Sequence, residues 1–354
     1  MDARHKAGHN GFPIADGIRP EMIAPELPAE LKVALEHAAH GMSRSDAATR
    51  AATISRTYRD GGNSGGIKTL DDALAYALAR MPATYAAVAA SLNALGEARP
   101  DFAPQSLLDV GAGPGTATWA AIQAYASLQT LRALDANAAL RQLALQLAGG
   151  EHAPRIGYEH GDIRTKLSVM PEADLVVASY VINELGDAAR RDLATTLWSK
   201  TRDTLLVIEP GTPAGYARII ELRRQLILQG AHVIAPCPHE RECPLVAPDW
   251  CHFAQRLARS RMHKQLKGAE LPFEDEKFSY VALSRSPPMR RFARVLAQPE
   301  MSKVAVRAKL CTVDGVGVAT APRRDKAAYA HFRRLDWGDA MIDPPTLEAD
   351  PTTP

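Results

Sequence analysis

Short continuous apolar runs alternate with stretches of helical periodicity through the middle of this chain. The runs predict buried strands at residues 106–110, 130–135, 155–160, 175–179 and 204–208. The intervening stretches predict helices over residues 116–129, 137–148 and 187–201. Alternating strands and helices are typical of parallel βαβ units, so we expect an α/β fold with a doubly wound, Rossmann-like sheet. Such a sheet binds ligands at the carboxyl ends of its strands.

The first hundred residues carry a different pattern. Apolar residues at three- and four-residue spacing predict helices over 31–40 and 47–58, and the glycine-rich stretch 61–66 predicts a loop. Residues 70–95 predict one or two further helices, with Pro82 marking a break or restart. We therefore expect residues 1–100 to form a helical N-terminal cap on a core that spans 101–230.

The alternation ends after residue 208. Strand-like runs at 278–283, 292–297 and 304–312 predict a β-containing C-terminal extension over 231–342. The last segment, 343–354, is rich in Pro, Thr and acidic residues and is predicted to be a flexible tail.

Composition narrows the class of protein. Of the 354 residues, 46% are hydrophobic and 23% charged, which is typical of a globular protein and excludes a disordered or collagen-like chain. No apolar run approaches the ~18 residues of a membrane helix, so we expect no membrane-spanning segment. Because neither a secretory nor a clear organelle-targeting leader is evident, we expect a cytoplasmic location of bacterial type. We also expect the protein to be a monomer.

The net charge of +2 conceals an asymmetry along the chain. Residues 252–334 hold 18 Lys and Arg against 7 Asp and Glu, a balance of +11, so the remainder carries −9. A basic C-terminal third on an acidic body is typical of a surface that faces a polyanion. An ordinary solvated basic surface is the alternative.

A glycine loop lies where the first predicted strand meets a helix. Its residues run Leu107-Leu108-Asp109-Val110-Gly111-Ala112-Gly113-Pro114-Gly115-Thr116. Glycines there allow a sharp turn and a close backbone approach to a ligand, and the helix N-terminus supplies free N–H groups. The third glycine comes one residue earlier than in the dinucleotide fingerprint, and Asp109 precedes the first. This arrangement resembles the first motif of class I S-adenosylmethionine-dependent methyltransferases.

Two further acidic positions follow the next two strands. Asp135 stands 20 residues after Gly115 at the end of the second strand, where a carboxylate would accept hydrogen bonds from ribose hydroxyls. Asp162 and Ile163 follow the third strand and are candidates for contacts to the adenine. The predicted pocket residues are Asp109, Gly111, Ala112, Gly113, Gly115, Asp135, Asp162 and Ile163. The alternative is a retained fold with an empty pocket.

In the segment that follows the fourth predicted strand, we identify no catalytic base. Class I methyltransferases usually place residues for the methyl acceptor there, but neither an Asn-Pro-Pro-aromatic motif nor a cysteine nucleophile is present. Asn183 and Glu184 could orient a substrate. We favour the structural interpretation, in which Asn183 caps the next helix.

All four cysteines fall within 75 residues. Cys237, Cys243 and Cys251 are separated by five and seven residues, and Cys311 follows after 59 more. The irregular spacing suits an iron–sulfur cluster or a tetrahedral zinc, and unligated core cysteines are a third interpretation. The histidines that could replace a cysteine around zinc are His232, His239 and His252. A metal site of either kind would staple the loop 237–251 onto the strand holding Cys311.

The sequence around these cysteines resembles one family closely. The resemblance rests on the segments 209–213 (EPGTP), 237–245 (CPHERECPL), 249–253 (DWCHF), 259–268 (RSRMHKQLKG) and 271–280 (LPFEDEKFSY). Together with the glycine loop they are similar to the methyltransferase-like small-ribosomal-subunit protein family of bacteria and mitochondria, from about Tyr58 to Met341. The resemblance implies a class I methyltransferase fold, a 4Fe–4S cluster on the four matching cysteines and a role in small-subunit assembly.

The same resemblance gives the basic region a partner, small-subunit ribosomal RNA or its precursor particle. Several residues of the first basic group are predicted to share a helical face; the group comprises Arg256, Arg259, Arg261, Lys264 and Lys267. A second group comprises Arg323, Arg324, Lys326, Arg333 and Arg334. Such cations neutralise phosphates without reading sequence. Four nearby aromatic residues could stack on unpaired bases: Trp250, Phe253, Phe273 and Tyr280. Core packing is the more common role of such residues.

Two functions fit these expectations. The first is an S-adenosylmethionine-dependent RNA methyltransferase acting on the small subunit. The second is a catalytically silent assembly factor that keeps the methyltransferase fold and a structural metal cluster.

Overall fold

The structure, a computed structural model, describes residues 22–59, 62–149 and 156–348. Its helices are α1 (Ala29–Ala38), α2 (Arg44–Arg59), α3 (Leu70–Ala98), α4 (Thr116–Ala124), α5 (Ala138–Leu147), α6 (Ile163–Lys166), α7 (Asp187–Ser199), α8 (Pro213–Leu228), α9 (Arg261–Lys267) and α10 (Lys326–Phe332). Its strands are β1 (Ser106–Val110), β2 (Thr130–Asp135), β3 (Ile156–His160), β4 (Ala173–Ser179), β5 (Thr201–Pro210), β6 (His232–Ala235), β7 (Phe253–Ala258), β8 (Phe273–Ser284), β9 (Ala293–Val295), β10 (Glu300–Met301), β11 (Ala305–Cys311), β12 (Val316–Pro322) and β13 (Ala340–Met341). None of these helices is both long and apolar enough to span a bilayer.

The main sheet confirms the predicted doubly wound α/β fold. Its order is β3-β2-β1-β4-β5-β8-β6, and β7 pairs with β8. Strands β1 to β5 run parallel, whereas β8 is antiparallel to β5. The direction of winding reverses between β1 and β4, which is where sheets of this kind bind ligands.

Both faces of this sheet are buried under helices. On β1, Leu107 packs with residues of α3, α4 and α5, while Leu108 and Val110 pack with residues of α7 and α8. Alternate residues of a strand point to opposite faces, so a strand covered on both sides reads as a continuous apolar run. This is why the central parallel strands are readable from the sequence, whereas the edge strand β3 is only partly buried.

Helix α3 corrects one prediction, because Pro82 lies inside it and does not break it. The helix begins with a capping box, in which the Thr69 hydroxyl accepts from the Asp72 N–H and the Asp72 carboxylate accepts from the Thr69 N–H. Proline removes one hydrogen bond from a helix. Burial of most of the 29-residue helix against its neighbours outweighs that loss.

The predicted helix 116–129 is also too long. Helix α4 ends at Ala124, since Tyr125 takes up an extended conformation and begins the connection to β2. The predicted helices 137–148 and 187–201 are confirmed as α5 and α7, each within two residues.

A second sheet follows the first in the chain. Its order is β10-β11-β9-β13, and β12 pairs with β11. Helix α10 packs on it through Phe332, next to Leu335. The predicted strand 278–283 lies within β8, and 292–297 and 304–312 contain β9 and β11.

The four-part division of the chain stays a prediction. Strands β6, β7 and β8 of the predicted extension belong to the main sheet, and only β9 to β13 form the second. In the predicted tail, Glu348 forms a β-bridge with Val318, and residues 349–354 lie outside the described residues.

Candidate functional site

The loop between β1 and α4 has the conformation that its glycines allow. Gly111 and Gly113 have φ of +71° and +55°, values that favour glycine. A Cβ at Gly111 would lie 2.4 Å from Cγ2 of Val181, whereas a Cβ at Gly113 would meet nothing within 4 Å. The backbone at Gly111 is therefore closely packed, and at Gly113 it borders open space.

That open space is a cavity of about 400 Å³ at the carboxyl ends of β1, β2 and β4. Six of the predicted pocket residues line it, namely Gly111, Ala112, Gly113, Asp135, Asp162 and Ile163. The structure thus brings together residues from three separate strand ends, as the doubly wound fold requires.

Asp135 is fixed in the cavity wall by two backbone hydrogen bonds. Its Oδ2 accepts from the Gly113 N–H at 2.9 Å and its Oδ1 from the Asn137 N–H at 2.7 Å. Burial raises the pKa of this carboxyl group, and the two N–H donors partly offset the increase. Each oxygen retains acceptor capacity for a hydroxyl group of a ligand.

Asp109 and Gly115 do not line the cavity. Gly115 is the N-cap of α4, and Asp109 Oδ2 accepts from the Thr118 N–H at 2.9 Å and from the Thr118 hydroxyl at 2.8 Å. Asp109 Oδ1 is buried without a hydrogen-bond partner in the described chain. Burial raises the pKa of Asp109 to about 7.

Asp162 reaches the cavity wall while capping α6. Its Oδ1 accepts from the Arg164 N–H at 2.9 Å, and its carboxylate pairs with the Arg164 guanidinium. Hydrogen bonding to that guanidinium lowers the pKa of Asp162. A carboxylate held in this way orders the loop around Ile163, whose side chain also lines the cavity.

The turn after β4 differs from the favoured prediction for Asn183. This residue lies in the 3₁₀ turn Ile182–Glu184, and the N-cap of α7 is Gly186. Asn183 therefore does not cap the helix, because the turn adds residues between it and α7. Its Oδ1 is buried without a partner in the described chain.

Tyr180 and Glu184 of the same turn do reach the cavity. Tyr180 has a φ of +57°, and its hydroxyl donates to Glu276 Oε1 at 3.0 Å. The Ser64 hydroxyl donates to Glu184 Oε2 at 3.4 Å, and burial raises the pKa of Glu184.

The N-terminal helices supply a wall that the sequence did not reveal. Tyr58 and Tyr76, with ring centroids 6.0 Å apart, line the cavity together with Asn63–Gly65. The Asn137 side chain ties this loop to the sheet, donating to the Ser64 carbonyl at 2.8 Å and to the Ile67 carbonyl at 2.9 Å. Only the glycine-rich composition of residues 61–66 marked the loop.

The four cysteines are free thiols that approach one another near the second sheet. Burial raises the pKa of Cys251 well above its usual value, and the other three cysteines raise it further. Burial likewise raises the pKa of Cys237 and Cys311. In the described chain no three His, Cys, Asp or Glu side chains converge around one metal-ion position, so the metal site stays a prediction.

The histidines named as alternative zinc ligands have other contacts. His232 pairs with Glu240 at 3.3 Å, and His252 stacks on Trp250. His239 Nε2 lies 3.8 Å from the Cys311 sulfur.

The basic segment before β8 is not one helical face. Arg256 lies on a strand, β7, which forms by pairing with β8, and Lys264 and Lys267 lie on the separate helix α9. The Arg261 side chain lies outside the described part. The cations also have carboxylate partners: Arg256 pairs with Asp275 at 2.8 Å, and Glu274 pairs with Arg259 at 2.9 Å and with Lys267 at 2.8 Å.

Of the nearby aromatic residues, Phe253 and Tyr280 are buried in the core, which confirms the packing interpretation for them. Trp250 donates to the Gly211 carbonyl, and Phe273 lies under the Arg256 guanidinium.

Comparison with known proteins decides the family. The sequence profile described as "Mitochondrial small ribosomal subunit Rsm22" matches residues 70–342, which is most of the chain. The chain belongs to the Rsm22 family. The resemblance noted from the cysteine segments and the glycine loop is thereby confirmed.

Relatives of this Rsm22 family chain include the human "Ribosome assembly protein METTL17, mitochondrial", 33% identical over 306 residues, covering 79% of this chain and 66% of that protein. The "Rsm22-cox11 tandem protein 2, mitochondrial" of Schizosaccharomyces pombe is 24% identical over 320 residues, covering 75% of this chain and 42% of that protein. The chain thus spans less than two thirds of either relative. Both names are those of mitochondrial proteins, so the expected cytoplasmic, bacterial-type location is wrong.

Solved structures with a similar fold are methyltransferases. Magnesium protoporphyrin IX methyltransferase from Synechocystis PCC 6803 is 12% identical with a TM-score of 0.40, covering 73% of this chain and 98% of that one. The ribosomal protein L11 methylase of Lactobacillus delbrueckii is 14% identical with a TM-score of 0.36, covering 56% of this chain and 78% of that one. The fold assignment itself rests on the strand order of the main sheet.

Proposed function

We propose that this Rsm22 family protein binds S-adenosylmethionine and acts in assembly of the small ribosomal subunit. The observation that carries the cofactor proposal is the cavity, in which the Gly113 backbone and the Asp135 carboxylate share one wall. The family match and the name of the human relative, a ribosome assembly protein, support the role in assembly.

The chain's own groups fit the proposed cofactor. Asp135 would accept hydrogen bonds from the ribose hydroxyls, and the open space beside Gly113 leaves room for the ligand. Asp109 Oδ1, buried behind the loop without a partner in the described chain, would add negative potential for the cationic amino-acid end when its carboxyl group is ionised. Bound S-adenosylmethionine supplies an electrophilic methyl group.

Calorimetry with S-adenosylmethionine tests the pocket. We expect binding to the wild-type protein and at least tenfold weaker binding to Asp135→Ala, since a charge-assisted hydrogen bond contributes about 1.5–3 kcal/mol. Asp192→Ala, on the exposed side of α7, is the matched control and should bind like wild type. An absence of heat from the wild-type protein at millimolar ligand would refute cofactor binding.

Methyl transfer to small-subunit ribosomal RNA is the first of two functions for this pocket. A transfer assay with tritiated S-adenosylmethionine on immature small subunits should place label in RNA. The second function, a catalytically silent assembly factor, is supported by the segment after β4, which carries neither an Asn-Pro-Pro-aromatic motif nor a cysteine nucleophile. Cofactor binding without label in RNA or protein would favour the second function.

We also propose that the four cysteines hold a 4Fe–4S cluster, as the family resemblance implies. The donor set is chemically suitable, because 4Fe–4S clusters are held by four cysteine thiolates, and Cys237, Cys243 and Cys311 lie close enough to Cys251 to raise its pKa. Arg223 and Arg294, both buried, favour the charged form of Cys237 and would offset the negative charge of a thiolate-bound cluster. A cube spreads its four ligands farther apart than one ion does, which is compatible with thiols that do not converge on a single point.

Metal content tests this second proposal. Protein purified without oxygen should contain about four iron atoms per chain and absorb broadly near ~400 nm. Cys311→Ser should lose most of that iron, whereas Ser302→Ala, on the same sheet, should retain it. Colourless protein with one zinc would contradict the cluster.

A further inference from the structure

The second sheet carries an excess of positive charge. Residues 293–341 hold nine Lys and Arg against five Asp and Glu. Six of these cations are exposed and form no ion pair in the described chain: Lys303, Arg323, Arg324, Lys326, Arg333 and Arg334. We call these six residues the α10 basic face.

Strand pairing brings four of them to one end of the sheet. Because β11 and β12 are antiparallel, the Arg323 N–H donates to the Val304 carbonyl at 2.7 Å, which places Lys303 beside Arg323. Arg324 follows in the chain, and Lys326 is the first residue of α10.

Helix α10 places the other two cations at its far end. Lys326 and Arg333 are seven residues apart, so they lie on the same side of the helix with about 10 Å between them. Phe332 is buried against the sheet, whereas Lys326, Arg333 and Arg334 are exposed. The α10 basic face therefore points away from the core along its whole length.

Acidic residues near this face do not neutralise it. Asp325 caps α10 by accepting from the Ala328 N–H at 3.0 Å, and Asp336 pairs with the Gln298 side chain at 3.2 Å. Glu300 lies on β10 opposite Arg307. None of the three lies within ion-pair distance of the six cations in the described chain.

The contrast with the segment before β8 separates two kinds of cation. Arg256, Arg259 and Lys267 are already paired with carboxylates of β8. A cation on the protein increases its affinity for RNA because phosphate binding releases counterions from the RNA. A cation that is paired with a carboxylate must first break that ion pair. The unpaired cations of the α10 basic face carry no such cost.

We infer that the α10 basic face is the surface of this protein that contacts the phosphate backbone of RNA. The inference rests on the proposed role in small-subunit assembly and assigns the RNA contact to the second sheet. Phosphate contacts of this kind position an RNA without specifying its sequence.

Fluorescence anisotropy with a short fluorescein-labelled RNA of mixed sequence, over a series of KCl concentrations, tests the inference. The variants are Arg323→Glu/Arg324→Glu and Arg333→Glu/Arg334→Glu. We expect each variant to bind RNA at least about tenfold more weakly than wild type. The slope of log affinity against log salt should become shallower by about 2.

Two controls separate local contacts from net charge. Arg56→Glu/Arg224→Glu makes the same change in charge at exposed positions of α2 and α8. Arg256→Gln/Asp275→Asn removes one paired cation together with its partner. Both controls should keep the wild-type affinity and slope, and all variants should match the wild-type circular dichroism spectrum.

The outcomes distinguish this inference from the proposed function. Wild-type protein that binds no RNA would refute RNA contact altogether. Wild-type binding that survives in both α10 variants, or falls equally in the charge control, would overturn the inference and leave the assembly role standing.

Discussion

At the scale of single residues, Asp109 couples the glycine loop to pH. Its pKa rises to about 7 in the folded protein because the carboxyl group is buried. A carboxyl group with a raised folded-state pKa favours folding when protonated, and that contribution is lost as pH rises through about 7. Asp109→Asn lacks this titration, so its stability relative to wild type should increase by about 2–3 kcal/mol between pH 5 and pH 8.

Urea denaturation of both proteins across that pH range measures the difference. Asp192→Asn, a substitution at an exposed carboxylate of α7, should show a difference from wild type that is nearly independent of pH. A pH-independent difference for Asp109→Asn as well would show that Asp109 is already ionised in the folded protein at pH 5.

Asn137 has two separable roles within one side chain. Its Oδ1 caps α5 by accepting from the Ala139 and Leu140 N–H groups, and its Nδ2 donates to the Ser64 and Ile67 carbonyls. Asn137→Asp keeps the cap and removes the donor. We expect faster amide hydrogen exchange at residues 64–67, unchanged exchange in α5, and a loss of about 1–3 kcal/mol in unfolding free energy.

Hydrogen exchange followed by mass spectrometry resolves these two segments. Asn137→Ala removes both roles and should accelerate exchange in α5 as well. Equal exchange of residues 64–67 in wild type and Asn137→Asp would mean that the loop is held by other contacts.

At the scale of elements, Pro82 costs α3 a hydrogen bond that its packing outweighs. Pro82→Ala restores an N–H at an interior position, so we expect an increase of about 1–3 kcal/mol in unfolding free energy. Pro213 offers a matched comparison, since it is the first residue of α8, where proline is favoured. Pro213→Ala should be neutral or slightly destabilising. Thermal and urea unfolding of both variants would contradict the argument if Pro82→Ala were the less stable.

The elements that could be predicted are those with a local signal. The central parallel strands β1, β4 and β5 are apolar on both faces, and the glycines between β1 and α4 mark the switch point. Strand β7 could not be predicted, because Arg256 within it and Arg259 just after it pair with Asp275 and Glu274 of β8, which a helix separates from β7. Pairing between distant segments leaves little trace in either one.

The same reasoning explains the partial prediction of the pocket. Gly111, Gly113 and Asp135 carry a spacing that reflects the βαβ unit, and the structure places them together. Tyr58 and Tyr76 enter the cavity through packing of α2 and α3 on the sheet, and no local pattern marks that contact. Burial also places one predicted pocket residue outside the cavity: Asp109 is recognisable in the motif but lies behind the cavity wall.

At the scale of the whole molecule, Arg294 links the two sheets. It lies on β9 with 2% exposure, its Nη1 donates to the Gly338 carbonyl at 2.8 Å, and its Nε donates to the Pro236 carbonyl next to β6 at 3.4 Å. The same guanidinium lies 3.9 Å from Glu97 of α3. Replacing it with an apolar side chain leaves two carbonyl groups and a carboxylate without this donor.

Arg294→Met should therefore lower the unfolding free energy by about 2–4 kcal/mol, because two carbonyl acceptors lose their donor and the exposed Glu97 loses one ion-pair contact. The loss should appear as faster amide exchange in β9, β11 and β12, with β1 and β4 unchanged, since those strands lie at the centre of the main sheet. Arg307→Met on β11 is the matched control and should cost less than about 1 kcal/mol. Equal costs for the two variants, or faster exchange in β1 and β4 only, would show that the sheets are held together by contacts other than Arg294.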